Sequence, residues 1–290
     1  MTQSKPKFSV VLQTDTYQKL INNTLGDSER AKRFIASISS AVAINSDLQE
    51  CDAGTILSGA LLGEALNLSP SPQLGQYYLV PFNSKSKGKV ATFILGYKGY
   101  IQLAVRSGNY KKINVIEIKE GELKKFDLMN EEIDVQIISD DTVRETTPTT
   151  GYYAMFEYLN GFKKAIYWSK EKMIEHADMY SPAFSKKGYE LLVAGKVKES
   201  DLWKYSSHWY KNFDDMAKKT MLRQLISRWG VMSVEMREAF EKDNAVLYTD
   251  GSSNYLDDIP SIEENPEDIV EPESNDKTKN KPKKVDINEL

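Results

Sequence analysis

Asn160-Gly161 lies between two runs rich in aromatic and β-branched residues, Gly151 to Leu159 and Phe162 to Trp168. It is the strongest short hairpin signal a chain can carry, because a two-residue turn needs positive φ and Asn-Gly tolerates it. That turn commits the middle of the chain to antiparallel pairing. A second hairpin is expected from Gln76 to Phe82 and Val90 to Leu95, joined by Asn83-Ser84-Lys85-Ser86-Lys87-Gly88-Lys89. Its cationic tip is either a soluble turn or a projection that follows a phosphate backbone.

Around these strands the apolar spacing is helical. Phe34, Ile35, Ile38, Ala41, Val42 and Ile44 recur at helical intervals after a capping Ser28, with Asp47 near the end. A second helix is predicted from Ala53 to Leu66, with Gly59 and Gly63 permitting close packing and Pro70 and Pro72 forcing a stop. Gly96 to Gly108 begins at a strand end and continues as a helix, with Gly108 as its C-terminal cap, and a strand follows through Val115 to Lys119. Residues 181–200 are poorly patterned and are expected to form a loop. The fold class is therefore α+β, a small, mainly antiparallel sheet with β-hairpins packed against helices.

With 290 residues, 40% of them hydrophobic, the chain has interior enough for a core without covalent staples. Cys51 is the only cysteine, so no intrachain disulfide forms and a reducing cytoplasm is expected. The polar start, Thr2-Gln3-Ser4-Lys5, is unlike a signal peptide, and no run approaches the ~20 apolar residues of a membrane span, so no membrane role is expected.

The net charge of −4 conceals a split. From Asp250 to Leu290 there are 12 acidic and 5 basic residues, which leaves the body with a small positive excess. The tail also holds Pro260, Pro266, Pro272 and Pro282 with few aromatics, a composition that buries too little surface to fold. Three regions are expected: an N-terminal arm over 1–27 with a short helix around Tyr17 to Asn22, a folded core over 28–249, and a disordered acidic tail over 250–290.

Lys218, Lys219, Arg223 and Arg228 share one predicted helix, Asp214 to Trp229, with an apolar stripe of Met221, Leu222, Leu225, Ile226 and Trp229. On this spacing Lys219 and Arg223 turn outward. Lys218 falls inside the apolar face, where it either reaches past the core or meets an acidic or phosphate partner, since a buried unpaired ammonium is costly. The helix is either a solvated amphipathic element or an anchored polyanion-binding one.

Several chemistries lack their motifs. No Gly-rich loop ends in Lys-Ser or Lys-Thr, so nucleotide hydrolysis of the P-loop kind is not expected. His176 and His208 stand 32 positions apart without structural-metal spacing, so no metal or other cofactor is expected, apart from Mg²⁺ as a counterion of nucleic acid. Gly96-x-x-Gly99 lacks the rest of a dinucleotide fingerprint and reads as a turn and packing device. Glu117-Ile118-Lys119 resembles the acid-x-Lys pair of Mg²⁺-dependent nucleases, but between Asp52 and Glu117 the only other carboxylate is Glu64, on a predicted core helix.

What accumulates instead is a set of cations and aromatics at element ends: Lys98, Arg106, Lys111 and Lys112, then Lys218, Lys219, Arg223 and Arg228, with Tyr97 and Tyr100 nearby. Cations follow phosphates and aromatics stack on unpaired bases. From the residues alone, a sequence-independent nucleic-acid-binding protein competes with a protein-interaction scaffold and a Mg²⁺-dependent nuclease.

At these residues the chain resembles the RecT family of phage single-strand annealing proteins, within the RecT/Redβ superfamily. The segments that carry the resemblance are Leu74-Gly75-Gln76-Tyr77-Tyr78-Leu79-Val80-Pro81-Phe82, Leu95-Gly96-Tyr97-Lys98-Gly99-Tyr100-Ile101-Gln102-Leu103-Ala104, and Met216-Ala217-Lys218-Lys219-Thr220-Met221-Leu222-Arg223 running to Trp229-Gly230. The resemblance spans roughly 28–240. It implies an ATP-independent, non-hydrolytic recombinase that coats single-stranded DNA, anneals it to a complementary strand as a homo-oligomeric ring or helical filament, and acts in the cytoplasm of a bacterial host. It further implies a DNA groove with Lys98, Arg106, Lys111 and Lys112 on one side and Lys218, Lys219 and Arg223 on another. A partner exonuclease exposing 3′ tails, and a host single-strand binding protein recruited by the acidic tail, complete the implied partners. On this view, removing Lys219 and Arg223 together leaves the fold intact and weakens annealing.

Overall fold

The structure is a computed structural model and describes residues 6–84 and 87–255. Five helices come first: α1 (Phe8–Val11), α2 (Asp15–Leu25), α3 (Ser28–Ile44), α4 (Ser46–Gln49) and α5 (Ala53–Ala65). The hairpin of β1 (Tyr77–Ser84) and β2 (Gly88–Leu95) leads into α6 (Tyr97–Arg106) and β3 (Tyr110–Lys119). Then come β4 (Leu123–Asp127), β5 (Glu132–Val135), α7 (Asp141–Thr146), β6 (Thr149–Tyr158) and β7 (Lys163–Ser169). The C-terminal part holds α8 (Lys170–Tyr180), α9 (Lys186–Val193), a 3₁₀ segment (Glu199–Tyr205), α10 (His208–Lys211), α11 (Phe213–Trp229), α12 (Val234–Lys242), β8 (Ala245–Leu247) and β9 (Ser253–Tyr255).

The α+β class is as expected, but the strands form three antiparallel sheets rather than one. Their orders are β1-β2-β8-β9, β3-β6-β7 and the two-stranded β4-β5. Both predicted hairpins are present, with Asn160-Gly161 turning β6 into β7 so that Glu157 faces Lys163. In β6 the even-numbered residues Tyr152, Ala154, Phe156 and Tyr158 are buried, while Tyr153, Met155 and Glu157 are less so. This period of two identifies the face that packs on the helices. On that face lies α11, whose Leu222, Leu225 and Ile226 are fully buried, each contributing about 1.5–3 kcal/mol by leaving water.

Three sequence expectations change. Asp27, not Ser28, caps α3, accepting from the Arg30 amide at 2.6 Å. The weak pattern at 181–200 conceals α9, capped by Ser185; its glycine and short length blur the periodicity. At the N-terminus, Phe8, Leu12 and Ile21 are buried in the same core as Phe93 and Leu222.

At the other end, the sequence places Asp250 in a tail, whereas Ser253–Tyr255 form β9 on the edge of the first sheet. Three residues are too few to carry a strand signal. The expected disorder beyond Tyr255 lies outside the described residues, as do Lys85 and Ser86 at the first hairpin tip.

Candidate nucleic-acid interface

α6 begins where the chain leaves β2, and two glycines set its position. A Cβ on Gly96 would lie 2.1 Å from the Gly75 carbonyl oxygen, and one on Gly99 would lie 2.1 Å from that of Gln76. Only bare backbone fits there, so the first turn of α6 is pressed against the entry to β1. Lys98, in that turn, is exposed. Tyr97 beside it is half-buried, with the Lys218 ammonium 4.7 Å and the Lys98 ammonium 6.0 Å from its ring centre.

Lys218 meets acidic partners. Its Nζ donates to Glu117 Oε1 at 3.0 Å and lies 2.9 Å from Asp215 Oδ1. Lys119 occupies the other Glu117 oxygen at 2.9 Å and donates to the Thr149 hydroxyl at 2.9 Å. Burial pushes the Glu117 carboxyl up, but the hydrogen bonds from Lys119 and Lys218 outweigh it and hold the group below the usual carboxylate range. Burial likewise pulls the Lys218 ammonium down, and its bonds to Asp215 and Glu117 raise it above the ordinary lysine value. Both Glu117 oxygens are thus engaged by ammonium groups. Among the described residues, no group of three His, Cys, Asp or Glu is placed to hold a metal ion.

At the next residue of α11, Lys219 is 6% exposed, and Asp243 beside it is 2% exposed. The Asp243 carboxylate accepts from Lys219 Nζ (2.8 Å), an Arg223 guanidinium nitrogen (2.8 Å), the Tyr100 hydroxyl (2.9 Å) and the Leu95 amide (2.9 Å). Burial lowers the Lys219 ammonium, with Asp243 acting against that shift. The outward orientation expected for Lys219 is therefore corrected. α11 is wedged between β3-β6-β7 on one side and α6 and α12 on another, so two faces are covered and a single-stripe projection misplaces residues on the second.

The expectation that Lys219 and Arg223 can both be removed with the fold intact is corrected with it, because Asp243 would be left buried without a cation. Arg223 remains partly open, with 40% of its side chain exposed. Tyr100 is fully buried, edge-on to Phe240 at 4.8 Å, so its ring presents no face to a base.

The other sequence-predicted residues lie at the far end of α6. Arg106 donates to the Leu66 (2.5 Å) and Asn67 (3.2 Å) carbonyl oxygens, closing the C-terminus of α5. Lys111 pairs with Glu157 at 2.8 Å. Lys112 and Arg228 are exposed, and among the described residues neither they nor Lys98 form an ion pair.

Three contacts in order, Lys218 on Tyr97, Arg223 on Tyr100 and the Tyr110 hydroxyl on the Val231 carbonyl, show that α6 and α11 run side by side in the same direction. Whereas Lys112, opposite Glu157 on β6, lies on the face of β3-β6-β7 turned away from α11, Lys98, Arg223 and Arg228 thus follow one another along one ridge. Asp243, the residue that organises its middle, escapes sequence reasoning because nothing local marks an acid just past the end of α12. Only its distance in space to three residues of α6 and α11 reveals it.

The RecT family model matches residues 32–262. An uncharacterised Bacillus subtilis (strain 168) protein, YqaK, is 35% identical over 263 residues, covering 91% of this chain and 81% of the relative. Protein RecT of Escherichia coli (strain K12) is 28% identical over 216 residues, covering 73% of this chain and 71% of its own length. No helix among the described residues is long and apolar enough to cross a membrane. With the match extending over most of the chain, including both helices of the cationic ridge, this protein belongs to the RecT family, whose members act in DNA recombination by single-strand annealing.

Proposed function

We propose that this chain binds single-stranded DNA without regard to sequence and anneals it to a complementary strand without hydrolysing a nucleotide. The observation that carries this reading is the ridge of α6 and α11, where Lys98, Arg223 and Arg228 stay open to solvent on a framework fixed from within by Asp243. Phosphate neutralisation by such side chains is indifferent to base identity. It also reduces the repulsion between two backbones, the main obstacle to bringing complementary strands together.

Lys218, Lys111 and Arg106 hold protein partners in the absence of DNA, and they contribute where a phosphate competes for those bonds. Lys219 and Tyr100 act from beneath as supports. A ring or filament of copies supplies register and avidity along the strand. Mg²⁺ serves as a counterion of the DNA. An exonuclease that exposes 3′ tails fits as the supplier of substrate, the acidic tail as a contact for a host single-strand binding protein, and the bacterial cytoplasm as the setting.

The test is a native gel of two complementary labelled oligonucleotides in magnesium buffer without nucleotide. Duplex of unchanged strand length is expected well above the spontaneous yield. Shortened strands would indicate a nuclease instead, and failure to bind either strand would point to a protein-interaction scaffold.

A further inference from the structure

Trp229 ends α11 in an unusual state. The other large apolar residues of the helix's stripe, Met221, Leu222, Leu225 and Ile226, are fully buried, whereas Trp229 is 37% exposed. Its backbone is nonetheless held tightly. The Tyr158 hydroxyl donates to the Trp229 carbonyl at 3.0 Å and accepts from the Val231 amide at 2.5 Å. The Tyr110 hydroxyl donates to the Val231 carbonyl at 3.1 Å. A Cβ on Gly230 between them would lie 2.6 Å from the Ile226 carbonyl oxygen and 2.8 Å from the Tyr110 hydroxyl, so the turn is seated against the sheet.

Two cations adjoin the indole. Lys164 Nζ stands 4.4 Å from the ring and the Arg228 guanidinium 6.0 Å. Lys164 also pairs with Glu131, leaving Arg228 as the less compensated of the two. Phe162, 47% exposed and stacked on Tyr158, adds a second open aromatic at the tip of the β6–β7 hairpin.

We infer that Trp229 is a stacking platform for an unpaired nucleobase, with Arg228 and Lys164 placed for the phosphates on either side of it. A fixed aromatic with open surface and adjacent cations is what base stacking requires, and every base offers a π-face, so the site is tolerant of sequence. It lies at the Arg228 end of the cationic ridge. The inference rests on the proposed single-strand binding and deepens it by assigning where bases, rather than phosphates, are held. It also supplies the aromatic surface that the buried Tyr100 does not.

The test compares the full chain with Trp229→Leu and Trp229→Phe on two labelled ligands, a thymidine oligonucleotide and an abasic oligomer with the same number of phosphates. Wild type should prefer the thymidine ligand. Trp229→Leu should lose about tenfold in thymidine affinity, the scale of one aromatic–base stack, and keep its abasic affinity, while Trp229→Phe should retain most of the preference. Thymidine, and not the abasic oligomer, should quench wild-type tryptophan emission, and Trp229→Phe should remove that quenching, a readout that stands even if Trp229→Leu folds poorly.

Equal losses on both ligands, no loss on either, or a changed oligomeric mass with an unchanged base preference would overturn the assignment. If wild type binds thymidine oligomers and the variants match it, only the platform fails. If wild type binds neither ligand, the single-strand reading itself fails and takes the platform with it.

Discussion

Asp243 and Lys219 meet at 2.8 Å, one just past the end of α12 and the other in the middle of α11, and both are closed off from solvent. The pair ties the C-terminal strand of the first sheet to the helix that crosses the second. Removing one member of such a pair costs far more than its surface equivalent, because the other charge stays desolvated. Asp243→Asn should therefore lower stability by about 3–5 kcal/mol, read as a fall in the urea midpoint with unchanged slope. A midpoint within error of wild type would show that water reaches the site.

Tyr100→Phe isolates a smaller part of the same cluster. The substitution keeps the ring against Phe240 and removes one of the four donors to Asp243. A cost of about 1–2 kcal/mol is expected from the lost bond. Affinity for single-stranded oligonucleotides should not change, since the ring is enclosed. A selective loss of DNA affinity at full stability would mean that Tyr100 is reached by the ligand.

Glu117 makes stability depend on pH in a defined direction. Its folded carboxyl titrates below the ordinary value, so its contribution is fully present above the unfolded pKa of about 4.3 and is lost as pH falls through the folded value. Lys218 is raised, so its contribution holds below about 10.4 and is lost as pH climbs through the folded value. Glu117→Gln should cost about 1–3 kcal/mol at neutral pH and progressively less in acid. Melting curves from pH 3 to 8 should converge at the acid end, and parallel curves would contradict the assignment.

The exposed cations should behave in the opposite way from the buried ones. Changing Lys98 and Arg228 together to alanine should leave the urea midpoint nearly unmoved, since surface substitutions usually stay within about 0.5 kcal/mol each. It should also flatten the dependence of log affinity on log salt by about 1.4, from roughly 0.7 per single-strand phosphate contact. An unchanged slope would remove these residues from the DNA path.

The hairpins, α5, α6 and α11 were legible in the sequence because each carries a turn, cap or period that neighbouring residues enforce. What could not be read was how many faces α11 buries. Helical spacing set Lys219 beside Arg223 on an outer face, but α12 and α6 roof that face over, and the reason is Asp243, 24 positions away. Tyr100 was misplaced by the same contact. Lys218, in contrast, was flagged by its position within an apolar stripe, and the acidic partners it required are Glu117 and Asp215. The stretch from 120 to 148 offered no pattern, and its β4–β5 hairpin is held by Glu131, whose carboxylate accepts from the Ala165 amide on β7. That contact has no local signature.

β9 alters how the acidic extension should be dissected. Tyr255 donates its hydroxyl to the Glu241 carbonyl, and Lys242 donates to the Ser253 hydroxyl at 3.1 Å, so this short strand braces the end of α12 one residue before Asp243. A truncation at 250 would strip away that brace together with the negative charge, and any gain or loss in DNA affinity would confound two causes. Cutting after Tyr255 spares the brace and makes the electrostatic influence of the extension measurable by itself.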